Sequence, residues 1–210
     1  MRTHLLWLAA GCQFFGGGER GSGKPKTETR DVGAFSKVRV EGSLSADITV
    51  GGAKLVELSG DDNIVPLVLT EVAAERLRIA PSKPIRPKLD LTARITAPTL
   101  AAVSASGSTA IKLRGVQSDA FVLDTSGSAR VTAAGSAHKL DINVSGSASI
   151  DTKELKAQAV SIQLSGSGEL DVFATDVLDV HISGSGKVRY YGNPRDVRKS
   201  ISGSGTLEPR

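Results

Sequence analysis

The sequence predicts an all-β fold, a parallel β-solenoid with roughly 19–20 residues in each repeat. Three observations predict it: a recurring Ser-Gly-Ser, a near-constant spacing between its glycines, and apolar residues in alternation on both sides. "NVSGSASIDT" begins at Asn143, "QLSGSGELDV" at Gln163, "HISGSGKVRY" at His181 and "SISGSGTLEP" at Ser200. The central glycines are Gly107, Gly127, Gly146, Gly166, Gly184 and Gly203, with separations of 20, 19, 20, 18 and 19. A period near twenty in an extended pattern is the signature of a solenoid.

Alignment on the glycine gives the parity. Two residues before it stand Ala105, Thr125, Val144, Leu164, Ile182 and Ile201. Four before it stand Val103, Leu123, Ile142, Ile162, Val180 and Lys199. Two after it come Thr109, Ala129, Ala148, Gly168, Gly186 and Gly205, and four after it Ile111, Val131, Ile150, Leu170, Val188 and Leu207. Alternation of this kind is strand periodicity. It predicts an inward column on this parity, with the glycine itself on it and small residues where two strand arms meet. The other parity is polar. It predicts two outward serine ladders, Ser106, Ser126, Ser145, Ser165, Ser183 and Ser202, and beside it Ser108, Ser128, Ser147, Ser167, Ser185 and Ser204. Stacked at ~4.8 Å, six repeats span about 24 Å, and the short hydroxyls are expected to hydrogen-bond along the ladders. These serines form the candidate surface.

Lys199 breaks the inward column. Either the strand shifts register after "YYGNPRD", or the sixth repeat is the outermost and its inner side meets water; the unbroken parity of Ile201 to Leu207 favours the second.

The first half is a weaker copy. "FSKVRVEGSLSADITV" from Phe35 alternates in the same way, and "VELSGDD" at Val56 echoes it, Gly60 following Gly42. "NIVPLVLTEVA" reads as partly helical or irregular. "RLRIAP" and "KLDLTARIT" read as strands around a proline-rich loop from Pro81 to Pro87. Terminal solenoid repeats are atypical because they cap the core, so residues 34–100 are expected either to close one end or to form a second lobe, and 101–210 to form the regular repeats.

The N-terminus reads differently. Arg2, an apolar run from Leu5 to Ala10 and "LAAGC" resemble a bacterial lipoprotein signal, with Cys12, the only cysteine, as the lipidated residue. The apolar run is shorter than the ~7–15 residues usual for a secretory signal. The expected division is a signal over 1–11, Cys12 with a flexible glycine- and charge-rich linker over 12–33, and a domain over 34–210. With one cysteine, no disulfide forms within the chain. The anchor makes a membrane the first expected partner and the bacterial envelope, with the outer membrane favoured, the expected location.

Composition narrows the function. Aromatics are 4% of the 210 residues against 40% hydrophobic in all, so the core is aliphatic. A net charge of +4 with both signs scattered gives no basic stripe for nucleic acid. Of three histidines, His4 lies in the signal and His181 stands in an outward row with Asp179 and Ser183. Alternate strand residues are about 6.6–6.8 Å apart, too far for a tight triad, and no helix start or nucleophile elbow is present to hold an oxyanion. Asp151 and Asp171 share an outward column with Lys112, Thr132, Arg189 and Glu208, which predicts a ladder that neutralises itself rather than a calcium or sugar-cleaving site. No catalytic residue, metal or cofactor is assigned.

"ETRDVGAFSKVRVEGS", "LSGDDNIVPLVLTEV" and the SGSA and SGSG repeats, in that order after a lipobox, resemble the GIN domain, the family of autotransporter adhesin heads. The similarity runs from about Thr27 to Leu207; "VEGSL" at Val40 departs from it, the family often having a serine before that glycine. The resemblance implies a right-handed parallel β-solenoid on a surface lipoprotein, and no established activity. The expected function is a non-enzymatic, lipid-anchored adhesive or scaffolding surface, with an envelope protein or glycan as partner. The rival is a carbohydrate-binding or polysaccharide-cleaving β-helix, disfavoured because outside the signal there is no tryptophan and only Tyr190 and Tyr191 as tyrosines.

Overall fold

A computed structural model of the chain describes residues 17–210. The chain is a parallel β-solenoid. Four long strands build its regular part: β11 (Ala110–Gly127), β12 (Arg130–Gly146), β13 (Ser149–Gly166) and β14 (Glu169–Gly184). Each wraps most of one turn, and the turns stack in parallel register. Breaks in pairing, such as that between Leu113 and Val116, divide the turn into straight runs. One end of the stack continues into β10 (Ala102–Gly107) and then β3 (Lys37–Gly42) and β4 (Ser45–Val50). The other ends in β15 (Lys187–Tyr191), β16 (Asp196–Gly203) and β17 (Thr206–Pro209).

Gly42, Gly107, Gly127, Gly146, Gly166, Gly184 and Gly203 therefore stand in a single column. They are not inward residues, which corrects the parity expected of them. They lie on the rim and turn the chain through a corner, with φ between 92° and 128° from Gly107 to Gly203. That left-handed region favours glycine. Space gives a second reason: a Cβ on Gly146 would stand 2.6 Å from the carbonyl oxygen of Gly127. After the corner the serine amide donates to the glycine carbonyl one turn back, as from Ser147 to Gly127 at 2.9 Å.

The inward columns behave as the alternation predicts. Ile162 and Leu164 are buried while Gln163 and Ser165 are exposed. The core is one continuous, mainly aliphatic cluster, with Phe121 its largest fully buried side chain.

The first half closes one end, but not as a weak copy of the repeat. β5 (Leu55–Asp61), β6 (Val68–Ala73), β7 (Arg76–Pro81) and β9 (Thr92–Ala97) follow β4. β7 lies parallel beside β3, and β9 beside β4, so a later segment builds the rung that covers an earlier one. β6 pairs antiparallel with β7, and β5 antiparallel with β9. Gly60 thus lies in an antiparallel strand and does not stack on Gly42; what covers Gly42 is Pro81, 3.0 Å from where its Cβ would be. A 3-10 turn at Val65–Leu67 accounts for the irregular stretch around Pro66.

The flexible linker expected over 12–33 is corrected for its second part. β1 (Glu19–Arg20) pairs with β8 (Ile85–Arg86), and β2 (Pro25–Thr29) pairs antiparallel with β5. The physical reason is Asp61. It is fully buried, and its carboxylate accepts backbone N–H bonds from Gly23 at 2.6 Å, Lys88 at 2.9 Å and Leu89 at 3.1 Å. One buried side chain thus ties the N-terminal strap and the proline-rich loop to the cap. Composition marked the strap as polar; its order comes from backbone bonds that composition does not reveal. Cys12, the signal and His4 lie outside the described residues.

At the far end β16 pairs with β14 in unbroken register, from Asp196 opposite Val177 to Gly203 opposite Gly184. Lys199 stands opposite Val180 and is exposed. No register slip occurs, and among the described residues no strand covers this rung.

Candidate functional surface

The corner glycines separate the two serine ladders. Ser106, Ser126, Ser145, Ser165, Ser183 and Ser202 line a groove of about 540 Å³ that runs along the stack. Its opposite rail is Ser104, Asp124, Asn143, Gln163, His181 and Ser200. The residues between the rails, Ala105, Thr125, Val144, Leu164 and Ile182, are those that send side chains inward, so their backbone forms the floor. Sequence reasoning found the first rail and missed the second. The signal was present: one outward position further from the glycine, every repeat carries a polar residue.

The second ladder lies around the corner. Ser108, Ser128 and Ser147 border a separate cleft with Asp90 and Arg130, and Ser167, Ser185 and Ser204 do not line that cleft. The two ladders therefore do not form one face, as the alternation alone suggested.

The hydroxyls do not bond along the ladders either. Among the described residues, none of the twelve serine hydroxyls makes a side-chain hydrogen bond. Hydroxyls that keep one orientation from rung to rung repeat at the ~4.8 Å rung spacing, beyond the 2.5–3.0 Å of an O–H···O bond.

Charges in the groove are held by neighbours. The Asn143 amide donates to Asp124 at 2.8 Å. Arg39 pairs with Glu41 at 2.6 Å, and Arg78 pairs with the same carboxylate at 2.8 Å. These bonds, Arg78's first, hold the Glu41 carboxyl below its ordinary range against the opposing effect of burial. His181 Nδ1 lies 3.3 Å from Asp179 and makes no hydrogen bond to Ser183, so the Asp-His-Ser row is not assembled.

The other carboxylates form the self-neutralising ladder expected. Asp171 accepts a bidentate pair from Arg189 at 2.7 and 2.8 Å. The arginine's hydrogen bonds hold the Asp171 carboxyl below its usual range, although desolvation pushes the other way. Lys153 pairs with Asp151 at 2.9 Å, and Lys187 with Glu208 at 2.9 Å. No group of three or more metal-ligating side chains occurs among the described residues.

Among the described residues two buried hydroxyls have no partner: Thr109 and Thr125, which are 3% and 4% exposed. Both occupy inward columns next to the corner. Thr152, also buried, donates to the Asp171 carbonyl at 3.1 Å.

Stacked corners, an antiparallel cap and a polar groove define a solenoid surface module. The family model described as "Putative auto-transporter adhesin, head GIN domain" matches residues 34–194, and the chain belongs to that family. No curated protein matches it significantly. Among solved structures, a putative adhesin from Bacteroides fragilis NCTC 9343 is similar at 24% identity and a TM-score of 0.73, over 92% of this chain and 100% of that one. A putative adhesin from Parabacteroides distasonis ATCC 8503 is similar at 23% identity and 0.54, over 92% and 100%. A protein from the same strain described as a putative lipid binding protein is similar at 22% and 0.52, over 91% and 98%. At these identities the likeness shows the fold.

Proposed function

We propose that this chain is a non-enzymatic, lipid-anchored protein of the bacterial cell envelope that presents its solenoid as an adhesive or scaffolding surface. The observation that carries this reading is the groove: a rail of unpartnered hydroxyls facing a mixed polar rail of Ser104, Asp124, Asn143, Gln163, His181 and Ser200, one pair on each rung. Such a surface offers many equivalent weak contacts and no single reacting centre. Membership of a family described as adhesin heads, and the descriptions of the B. fragilis and P. distasonis relatives, support the same reading. Cys12 supplies the anchor, with the folded strap beginning a few residues beyond it.

The rival, a polysaccharide-cleaving β-helix, needs a free acid and base above a bound sugar. One carboxylate, Asp124, lines the groove, where cleavage calls for a pair. The geometry favours binding over cleavage.

Two measurements test the proposal. Mass spectrometry of the mature N-terminus is expected to find a diacylglyceryl-modified Cys12; an unmodified Met1 with a free thiol removes the anchor. Immobilised protein is expected to retain a component of envelope extracts, and Ser165→Arg, which fills the groove, is expected to lose it. Equal retention by both proteins refutes the surface assignment.

A further inference from the structure

We propose that the groove binds a linear, uncharged glycan laid along the stack, at about one sugar ring per rung. This rests on the reading of the groove as the contact surface and names the class of ligand.

Three features select that class. The first is charge. Of the ionic groups in the groove, Arg39 is paired with Glu41 and His181 lies against Asp179, whereas the Asp124 carboxylate is bonded by the neutral Asn143 amide, which does not offset it, so the groove opposes an anionic polymer. The second is hydrogen-bonding capacity. The serine rail presents hydroxyls that each both donate and accept, and the exposed Gln163 amide makes no bond to the protein. A polyhydroxyl ligand matches groups that can take either role.

The third is period. The rails repeat with the parallel rungs, at ~4.8 Å. An extended peptide laid along the groove presents same-side residues every 6.6–6.8 Å and drifts out of step within two residues. A pyranose ring is comparable in length to one rung, so neighbouring rings fall near neighbouring rungs, and in a β-1,4 chain alternate rings turn opposite edges toward the two rails, whose hydroxyls and amides bond either edge.

No aromatic side chain lines the groove, so ring stacking contributes nothing and each contact is weak. Affinity then depends on the number of rungs engaged at once, as expected of linked weak sites. The groove spans six rungs, so gains are expected to continue up to about six rings.

The test uses neutral β-1,4-linked oligomers of glucose, xylose, mannose and N-acetylglucosamine, from dimer to hexamer, titrated into the isotope-labelled protein and followed by amide chemical shifts. One series is expected to shift rung residues on both rails, with affinity rising several-fold for each added sugar. Ser165→Arg is expected to weaken the hexamer at least tenfold. Ser167→Arg, on the far side of the same corner, is expected to leave binding unchanged.

If no neutral series perturbs the groove, or if an anionic oligosaccharide or an extended peptide binds there more tightly, the glycan assignment is wrong. The surface reading then stands or falls separately, on whether Ser165→Arg loses envelope retention. Equal losses in Ser165→Arg and Ser167→Arg would place binding outside the groove and overturn the proposal.

Discussion

The side chain of Leu164 fills the space that Gly186 leaves one rung away. A Cβ on Gly186 would overlap Leu164 Cδ2 and stand 2.9 Å from its Cγ, and a Cβ on Gly168 would stand 3.1 Å from Cδ1. Neither glycine has a positive φ, so space rather than conformation demands them. The same exchange runs along the stack. Before the corner the column reads Ala105, Thr125, Val144, Leu164 and Ile182; after it Thr109, Ala129, Ala148, Gly168 and Gly186. As one side chain grows, its partner shrinks, and the enclosed volume is kept near constant, as close packing requires.

Gly186→Ala is therefore expected to lose about 1–3 kcal/mol by overpacking. Leu164→Ala is expected to lose about 2–5 kcal/mol through the cavity it leaves. The double variant should be more stable than the sum of the two losses implies, by a coupling of about 0.5–3 kcal/mol. Urea unfolding of the four proteins measures the cycle, and strict additivity would show that the two side chains do not share one space.

Thr125 sits in that column between Ala105 and Val144, buried and with its hydroxyl unpartnered. An unmade hydrogen bond in the core costs about 1–3 kcal/mol. Valine has nearly the same shape without the hydroxyl. Thr125→Val is expected to raise the midpoint of urea unfolding with no change in slope; a lower midpoint would mean that the hydroxyl is satisfied.

Much of this was legible in the sequence. The alternation fixed which of Ile162, Gln163, Leu164 and Ser165 face the core, because a strand's side-chain period is a local property. The glycine period located the corners, yet parity misplaced the glycines on the inward column, because a residue at a bend belongs to neither face. Asp61 was the least legible. Nothing in "VELSGDD" distinguishes it from Asp62, and its role depends on loops 38 and 27 residues away. The groove was half legible: serines at fixed spacing announced one rail, whereas Asp124, Asn143, Gln163 and His181 share only polarity, which the eye does not collect into a column.

The corner and the surface give opposite expectations for adjacent residues. Gly146→Ala places a Cβ against the Gly127 carbonyl in a left-handed backbone, so it is expected to destabilise by at least about 1 kcal/mol. Ser147→Ala removes an exposed hydroxyl and is expected to change stability by no more than about 0.5 kcal/mol. Thermal unfolding distinguishes them, and a neutral Gly146→Ala would show that the corner is not constrained.

Asp61 makes the cap sensitive to acid. Burial alone would raise its pKa, but the N–H bonds from Leu89, Gly23 and Lys88 outweigh burial and hold it below the ordinary carboxylate value. The folded state thus favours the ionised form. Its contribution is complete above the unfolded pKa, about 3.9, and is lost as pH falls toward the lower folded value. Asp61→Asn keeps the shape but loses the charge and part of the accepting capacity. It is expected to be less stable than the parent at pH 7, with the gap narrowing as pH falls below about 4. Urea midpoints across that range test this, and a gap that widens in acid would contradict it.

Lys199 is the remaining test, at the open end. Its neighbours in the outermost rung, Val197 and Ile201, are 40% and 37% exposed, the two large hydrophobics most open to solvent among the described residues. Beneath Lys199 lies Val180, fully buried. The other edge of β16 offers unpaired backbone groups, and an open edge beside apolar side chains is a template for another chain. A lysine on the core-facing parity opposes that pairing, since a second strand would enclose its ammonium at high cost. Its stem covers apolar surface while the charge stays in water. Replacement by valine keeps the stem's apolar character and removes the cost. Lys199→Val is therefore expected to associate end to end, with light scattering showing larger species whose share grows with protein concentration. Lys199→Arg is expected to behave as the parent, because it keeps the charge. If Lys199→Val scatters as the parent does at every concentration, the lysine does not guard the edge.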